Sequence, residues 1–310
     1  MMCGNTVVPG AGACAGHSMR RSPGYGSRAG SGSTRRRRIA AQIAALFIAM
    51  ASIVSLAACG STSSSSHVIK IGIKFDQPGV GYKKRDSYSG FDVEVGRYIA
   101  HKLGYKDYEI VWVEAPSKQR ETMLQNGDVD MIIASYSITS DRKKTIDFAG
   151  PYLVAGQDLL VRKDNTSIRG PQDLNGKRLC SVTGSTSATV IKKRYASKVQ
   201  LMEQPSYAEC ATALFSGIVD AVTTDDIILA GLASNARGRL KLVGKPFTQE
   251  YYGIGIQKNK NSKVFAQKID AAVNDMVKTG TWMRAIKNST AGSGYSPDPQ
   301  YNPPVAREGE

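Results

Sequence analysis

A serine-rich strand end followed by an arginine is the stretch of this sequence best equipped for chemistry. Met131-Ile132-Ile133-Ala134 is a short apolar run that reads as a buried strand. It gives way to Ser135, Ser137, Thr139 and Ser140, then to a charged segment of helical character. Either Thr139 or Ser140 is suited to cap that helix, which places Arg142 in its first turn, where the macrodipole disfavours a cation. A carboxylate bound at that point would remove the penalty, because backbone N–H groups and a bidentate guanidinium would both face it. The competing reading is a capped surface helix carrying a solvated arginine.

The elements that must position these groups follow an alternating pattern. Val68 to Lys74, Glu109 to Val113 and Asp130 to Ala134 read as strands, separated by helices from Gly90 to about Leu103 and from a Ser117 cap to Gln125. Alternation of this kind marks a parallel α/β sheet. The pattern restarts after Pro151, with strands at Arg178–Val182, Val199–Met202 and Val219–Val222 and helices between them. A strand from Tyr252 and a helix from Ser262 to Thr279 follow, and a Gly-, Ser- and Pro-rich tail from Ser289 is expected to be unstructured. Two units of similar plan joined by two crossings imply two lobes with a cleft between them. Open α/β sheets bind ligands beyond the carboxyl ends of their strands, where the polar stretches lie.

The segment Ser135-Tyr136-Ser137-Ile138-Thr139-Ser140-Asp141-Arg142 resembles the polar amino-acid-binding proteins of bacterial ABC importers, solute-binding protein family 3. The resemblance covers residues 68–290 and implies a periplasmic-binding-protein type II fold: two α/β lobes, a two-segment hinge and a ligand cleft between them. It places the first lobe at 68–156 with a return at 252–288, the second lobe at 157–251 and the tail at 289–310. It also implies that Ser135, Ser137 and Arg142 hold the α-amino and α-carboxylate groups of a ligand. Thr186, in Thr183-Gly184-Ser185-Thr186, would add to the carboxylate site, and Asp225 would pair with the ligand ammonium. As residues alone, Thr186 and either of Asp225 and Asp226 could equally be helix caps. Ile71 to Gly79, Pro116 to Arg120 and Thr224 to Gly231 are similar to the glutamate/aspartate-binding branch, so Lys74, Ser117 and Arg120 are expected to receive a second carboxylate. Tyr136 could line the pocket or pack inside the lobe.

The net charge of +15 is concentrated at the start of the chain. Residues 1–59 hold seven arginines and no acid, which leaves 34 basic against 26 acidic residues, or +8, for the remainder. No dense basic run follows Arg38, so nucleic acid is not an expected partner. Arg35 to Arg38, the apolar stretch Ile39 to Ala58 and then Cys59 read as an export signal over 1–58. Leu56-Ala57-Ala58-Cys59 resembles a lipobox, so Cys59 is expected to carry a lipid, with a Ser-rich tether at 59–67, anchoring the protein to the outer face of the cell membrane. A transmembrane anchor is the alternative. Cys180 and Cys210 remain as an even pair in an oxidising compartment. If bridged, they close a loop of about 30 residues, worth roughly 3–4 kcal/mol; otherwise they are buried free thiols.

Catalytic signals are weak. His67 and His101 are the only histidines after the leader and come with no cluster at metal spacing, so neither metal nor cofactor is expected. No Gly-x-Ser-x-Gly elbow occurs. The expectation is a monomeric receptor that binds L-glutamate or aspartate and delivers it to a permease and its ATPase. A glutamine receptor, a sensing module for a membrane signalling partner and an exported enzyme resembling cyclohexadienyl dehydratases, with Asp226 as its acid or base, are the alternatives.

Overall fold

Three parallel strands make up one side of each of two sheets, and the chain crosses between the sheets twice. In this computed structural model the described residues are 67–305; Cys59, the export signal and nearly all of the tether lie outside them. The first sheet has the order β5-β1-β6-β13-β7, formed by Ile110–Glu114 (β5), Ile69–Ile73 (β1), Met131–Ile132 (β6), Glu250–Gln257 (β13) and Ile146–Ala155 (β7). The second has the order β10-β9-β11-β8-β12, from Gln200–Gln204, Arg178–Val182, Ala221–Asp225, Gln157–Arg162 and Leu240–Leu242 respectively. A small hairpin sheet of Asp76–Gln77 (β2), Gly81–Lys84 (β3) and Ser87–Ser89 (β4) stands apart.

The sheets are mixed rather than wholly parallel. β1 runs parallel to β5 and β6, and β9 to β10 and β11, as the alternating pattern requires. β13 runs antiparallel to β6 and β7, and β8 antiparallel to β11 and β12. The antiparallel members lie next to the crossings: β7 passes into β8 through Gly156, and the chain returns from β12 into β13.

Helices cover the sheets: Phe91–Lys102 (α1), Arg120–Asn126 (α2), Ser140–Lys143 (α3), Ser187–Arg194 (α4), Tyr207–Phe215 (α5), Asp226–Asn235 (α6), Ser262–Lys278 (α7) and Thr281–Ser289 (α8). Gly127 ends α2 in the left-handed conformation at φ 74°, which a side chain would resist. Ser206 caps α5 and exchanges bonds with Glu209 in a capping box. Cys180 on β9 and Cys210 on α5 are joined by a disulfide with a Cα–Cα distance of 5.5 Å.

Two local expectations are corrected. Ser117 does not cap α2; Gln119 holds the cap position, without a side-chain bond. The tail is not unstructured as far as it is described: the Asn302 amide donates to the Val154 carbonyl at 2.8 Å and its oxygen accepts from the Val154 N–H at 3.0 Å. An edge strand offers unpaired backbone groups, and one buried asparagine satisfies both polarities of β7.

Candidate functional site

The carboxyl ends of the parallel strands meet at one small polar cavity. Ser117, Arg120, Ser135, Ser137 and Arg142 come to it from the first sheet's side, and Thr186 and Asp225 from the second. The structure thus brings together all the sequence-predicted residues except Lys74. The Lys74 ammonium is buried but lies 3.4 Å from Asp76 Oδ1, and it does not line the cavity. Burial lowers the Lys74 pKa, and Asp76 acts against that shift. A larger groove lies outside β7 and β13; none of the predicted residues lines it, and its Lys258 is already bonded to the Lys143 carbonyl.

Arg142 is held more tightly than a helix-terminus site requires. Thr139 caps α3 by accepting from the Arg142 N–H at 3.2 Å, so that amide is already used. The Arg142 guanidinium donates to Glu121 Oε1 at 3.2 Å, to the Ser137 carbonyl at 2.8 Å and to the Gly184 carbonyl at 3.1 Å. Gly184 belongs to the second sheet's side, so this bond spans the cleft. Five N–H donors against three bonds leave capacity for a bound anion.

Arg120 is 3% exposed, and none of the described carboxylates forms an ion pair with it. Its guanidinium donates to the Ala134 carbonyl at 2.8 Å and to the Ser117 carbonyl at 3.4 Å. Burial, and then the neighbouring Arg142 charge, push its pKa down to about 10, which still leaves it protonated at neutral pH. The site therefore contains a buried cation that makes no direct ion pair among the described residues.

Asp225 presents the opposite need. It is 5% exposed at the end of β11 and makes no capping bond. Tyr252 donates to its Oδ2 at 2.6 Å, and its Oδ1 is buried without a partner. Burial, reinforced by the nearby Glu250 charge, raises the Asp225 pKa well above the usual carboxylate range. A ligand ammonium would satisfy that oxygen and restore the charged form. Thr186 is no side-chain cap either: its hydroxyl accepts from Gln157 Nε2 at 3.4 Å. Asp226 turns to the hinge, accepting from the Ile227 N–H at 2.7 Å and the Gly156 N–H at 3.4 Å, and does not line the cavity.

Several groups have no local signal in the sequence. Ser135 adopts φ 49°, a conformation that costs a non-glycine residue about 1–3 kcal/mol. Asp92 on α1 accepts from its N–H at 3.0 Å, and Gln77 Oε1 accepts from its hydroxyl at 2.9 Å, so two side chains from distant segments impose that turn. Asp92 also accepts from Tyr152 at 2.7 Å, and burial raises its pKa to about 7. Gln77, Tyr207, Thr224 and Ile228 join the cavity wall. Tyr207 donates from its hydroxyl to Ser185 Oγ at 2.9 Å, and its N–H donates to Asp76 Oδ2 at 2.7 Å, a second bond across the cleft. Tyr136, which the sequence leaves open, packs inside the first lobe with no exposed surface.

A sequence profile of the bacterial extracellular solute-binding proteins, family 3, matches residues 69–289. The chain belongs to that family. Among curated family-3 relatives, the glutamate-binding protein GluB of Corynebacterium glutamicum is 42% identical over 252 residues, covering 75% of this chain and 84% of that one. The ABC transporter glutamine-binding protein GlnH of Bacillus subtilis is 36% identical, covering 77% and 93%. The solved structure of an ancestral arginine-binding protein bound to glutamine matches with a TM-score of 0.65 at 34% identity, covering 72% of this chain and 97% of that one. The two mixed sheets of this family-3 protein are thus the two lobes of a type II binding-protein fold, as the resemblance implies.

Proposed function

We propose that this protein is the substrate-binding lipoprotein of an ABC amino-acid importer and that its ligand is L-glutamate, with aspartate as a second acidic ligand. The observation that carries the acidic reading is Arg120, a buried guanidinium with no acidic partner among the described residues. Arg142 would take the α-carboxylate and Asp225 Oδ1 the ammonium, leaving Arg120 for the side-chain carboxylate. A buried ion is costly unless paired, so a ligand that brings the missing charge is favoured over its neutral amide. Lys74 would act indirectly, through Asp76, rather than by touching the ligand. Membrane attachment through Cys59, delivery to a permease and its ATPase, and a monomeric state belong to the same reading. The GluB relative supports it, while GlnH supports the glutamine alternative. An enzyme of the kind considered above needs an acid or base carboxylate in the cavity, and Asp226, the residue considered for it, is committed to the hinge backbone.

Isothermal titration of the purified protein, stripped of carried-through ligand by unfolding and refolding, tests the proposal. Glutamate and aspartate are expected to bind at least tenfold more tightly, about 1.4 kcal/mol, than glutamine or arginine. A glutamine preference would overturn the role given to Arg120.

A further inference from the structure

Both cavity arginines rest on one aromatic ring. The Arg120 guanidinium carbon lies 4.2 Å and that of Arg142 4.7 Å from the Tyr136 ring centroid. The ring is itself fixed. A Cβ on Gly255 would come within 2.8 Å of Tyr136 Cε1, so the ring sits directly on that glycine, and Phe148 meets it edge-on at 5.0 Å between centroids. The carbonyls that anchor the two guanidiniums, Ala134 for Arg120 and Ser137 for Arg142, flank the tyrosine in the same short segment. That segment therefore holds both cations through two carbonyls and one ring.

Such a pair would normally separate. The Arg142 charge disfavours that of Arg120, and Glu121 ion-pairs with Arg142. The negative face of an aromatic ring attracts cations most strongly where water is excluded, so it offsets part of that repulsion and fixes the spacing of the two forks. We infer that Tyr136 is a specificity-determining positioning residue: it holds Arg120 and Arg142 as one dicationic cradle and thereby selects a dicarboxylic amino acid over its amide. This rests on the glutamate reading above. Tyr136 touches the arginines rather than the ligand, and its effect lies in the difference between two ligands rather than in binding as such.

The test measures glutamate and glutamine affinities by titration calorimetry for the wild type and for Tyr136→Phe, Tyr136→Leu and Tyr136→Met. Tyr136→Phe keeps the ring and is expected to hold the glutamate-to-glutamine affinity ratio within about threefold. Loss of a desolvated cation–π contact is expected to lower that ratio on the order of tenfold in Tyr136→Leu, beyond any loss through Arg142 that the two ligands share. Tyr136→Met, unbranched and adaptable, gives the same reading should Tyr136→Leu fail to fold. A merely structural tyrosine would weaken both ligands together and leave the ratio unmoved, which would overturn the inference. A Tyr136→Phe variant as defective as Tyr136→Leu or Tyr136→Met would also overturn it, by shifting the effect to the hydroxyl. Failure of the glutamate reading is distinguishable, since it would show in the wild type as a ratio at or below one.

Discussion

Replacing Arg120 by methionine removes the charge while keeping most of the side-chain length, and the structure sets a small consequence for folding and a large one for binding. In the empty protein, two buried carbonyls, Ala134 and Ser117, lose a donor, at about 1–3 kcal/mol each. Against this, removing a buried guanidinium that has no ion-pair partner relieves a desolvation cost of several kcal/mol. The two effects are of similar size, so the unliganded melting temperature is expected to move by only about 5 °C or less in either direction. Glutamate binding has no such compensation. Leaving its side-chain carboxylate buried and unpaired costs roughly 3 kcal/mol or more, on the order of a hundredfold in Kd. Glutamine loses one charge-assisted hydrogen bond at most and is expected to weaken about tenfold or less. Titration calorimetry of both ligands, with a thermal melt of the empty protein, separates the terms. Equal losses for the two ligands, or a glutamate Kd within threefold of wild type, would refute the reasoning.

Two further perturbations test other parts of the structure. The folded pKa of Asp92 stands at about 7, above its unfolded value of 3.8, so between these values the native state binds more proton than the unfolded chain; stability from this group is fully present below the unfolded value, declines as pH rises and is exhausted above about pH 7. Denaturant unfolding at pH 5 and pH 8 is expected to show about 2–3 kcal/mol of this dependence in the wild type and its loss in Asp92→Asn; equal slopes in both proteins would contradict the assignment. A Cβ on Gly231 of α6 would lie 1.9 Å from the Pro78 carbonyl, so Gly231→Val is expected to hold the lobes apart. Small-angle scattering should then show no ligand-induced compaction, with Kd raised at least tenfold and the melting temperature of the empty protein nearly unchanged; normal closure would refute the contact.

The cavity was legible to the extent that its groups sit at strand ends. Hydroxyls and charges directly after β6, β9 and β11 announce themselves because an apolar run stops and a polar one begins, and Arg142 stood out by being a cation in a first helical turn. Lys74 lies outside the cavity wall, and its partner Asp76 stands only two residues on, beyond the bend at Phe75. Gln77 and Asp92 were invisible in the sequence. Each acts on Ser135 from 58 and 43 residues away, and local pattern carries no trace of a hydrogen bond between distant segments. The antiparallel strands at the crossings and the docking of Asn302 are likewise set by where the chain returns, not by the residues that return.

Two of the hydrogen bonds that join the lobes, Arg142 to the Gly184 carbonyl and the Tyr207 N–H to Asp76, are made across the cleft between protein groups alone. The closed shape consequently has a free energy of its own, independent of any occupant. Each such bond tightens apparent affinity by enlarging the share of molecules already shut, and by the same factor enlarges the share shut around nothing. A partner that recognises only the outline of the closed protein would be engaged by empty copies as well as loaded ones. The strength of these two contacts therefore sets a ratio of productive to idle encounters, a quantity that ligand affinity alone does not determine.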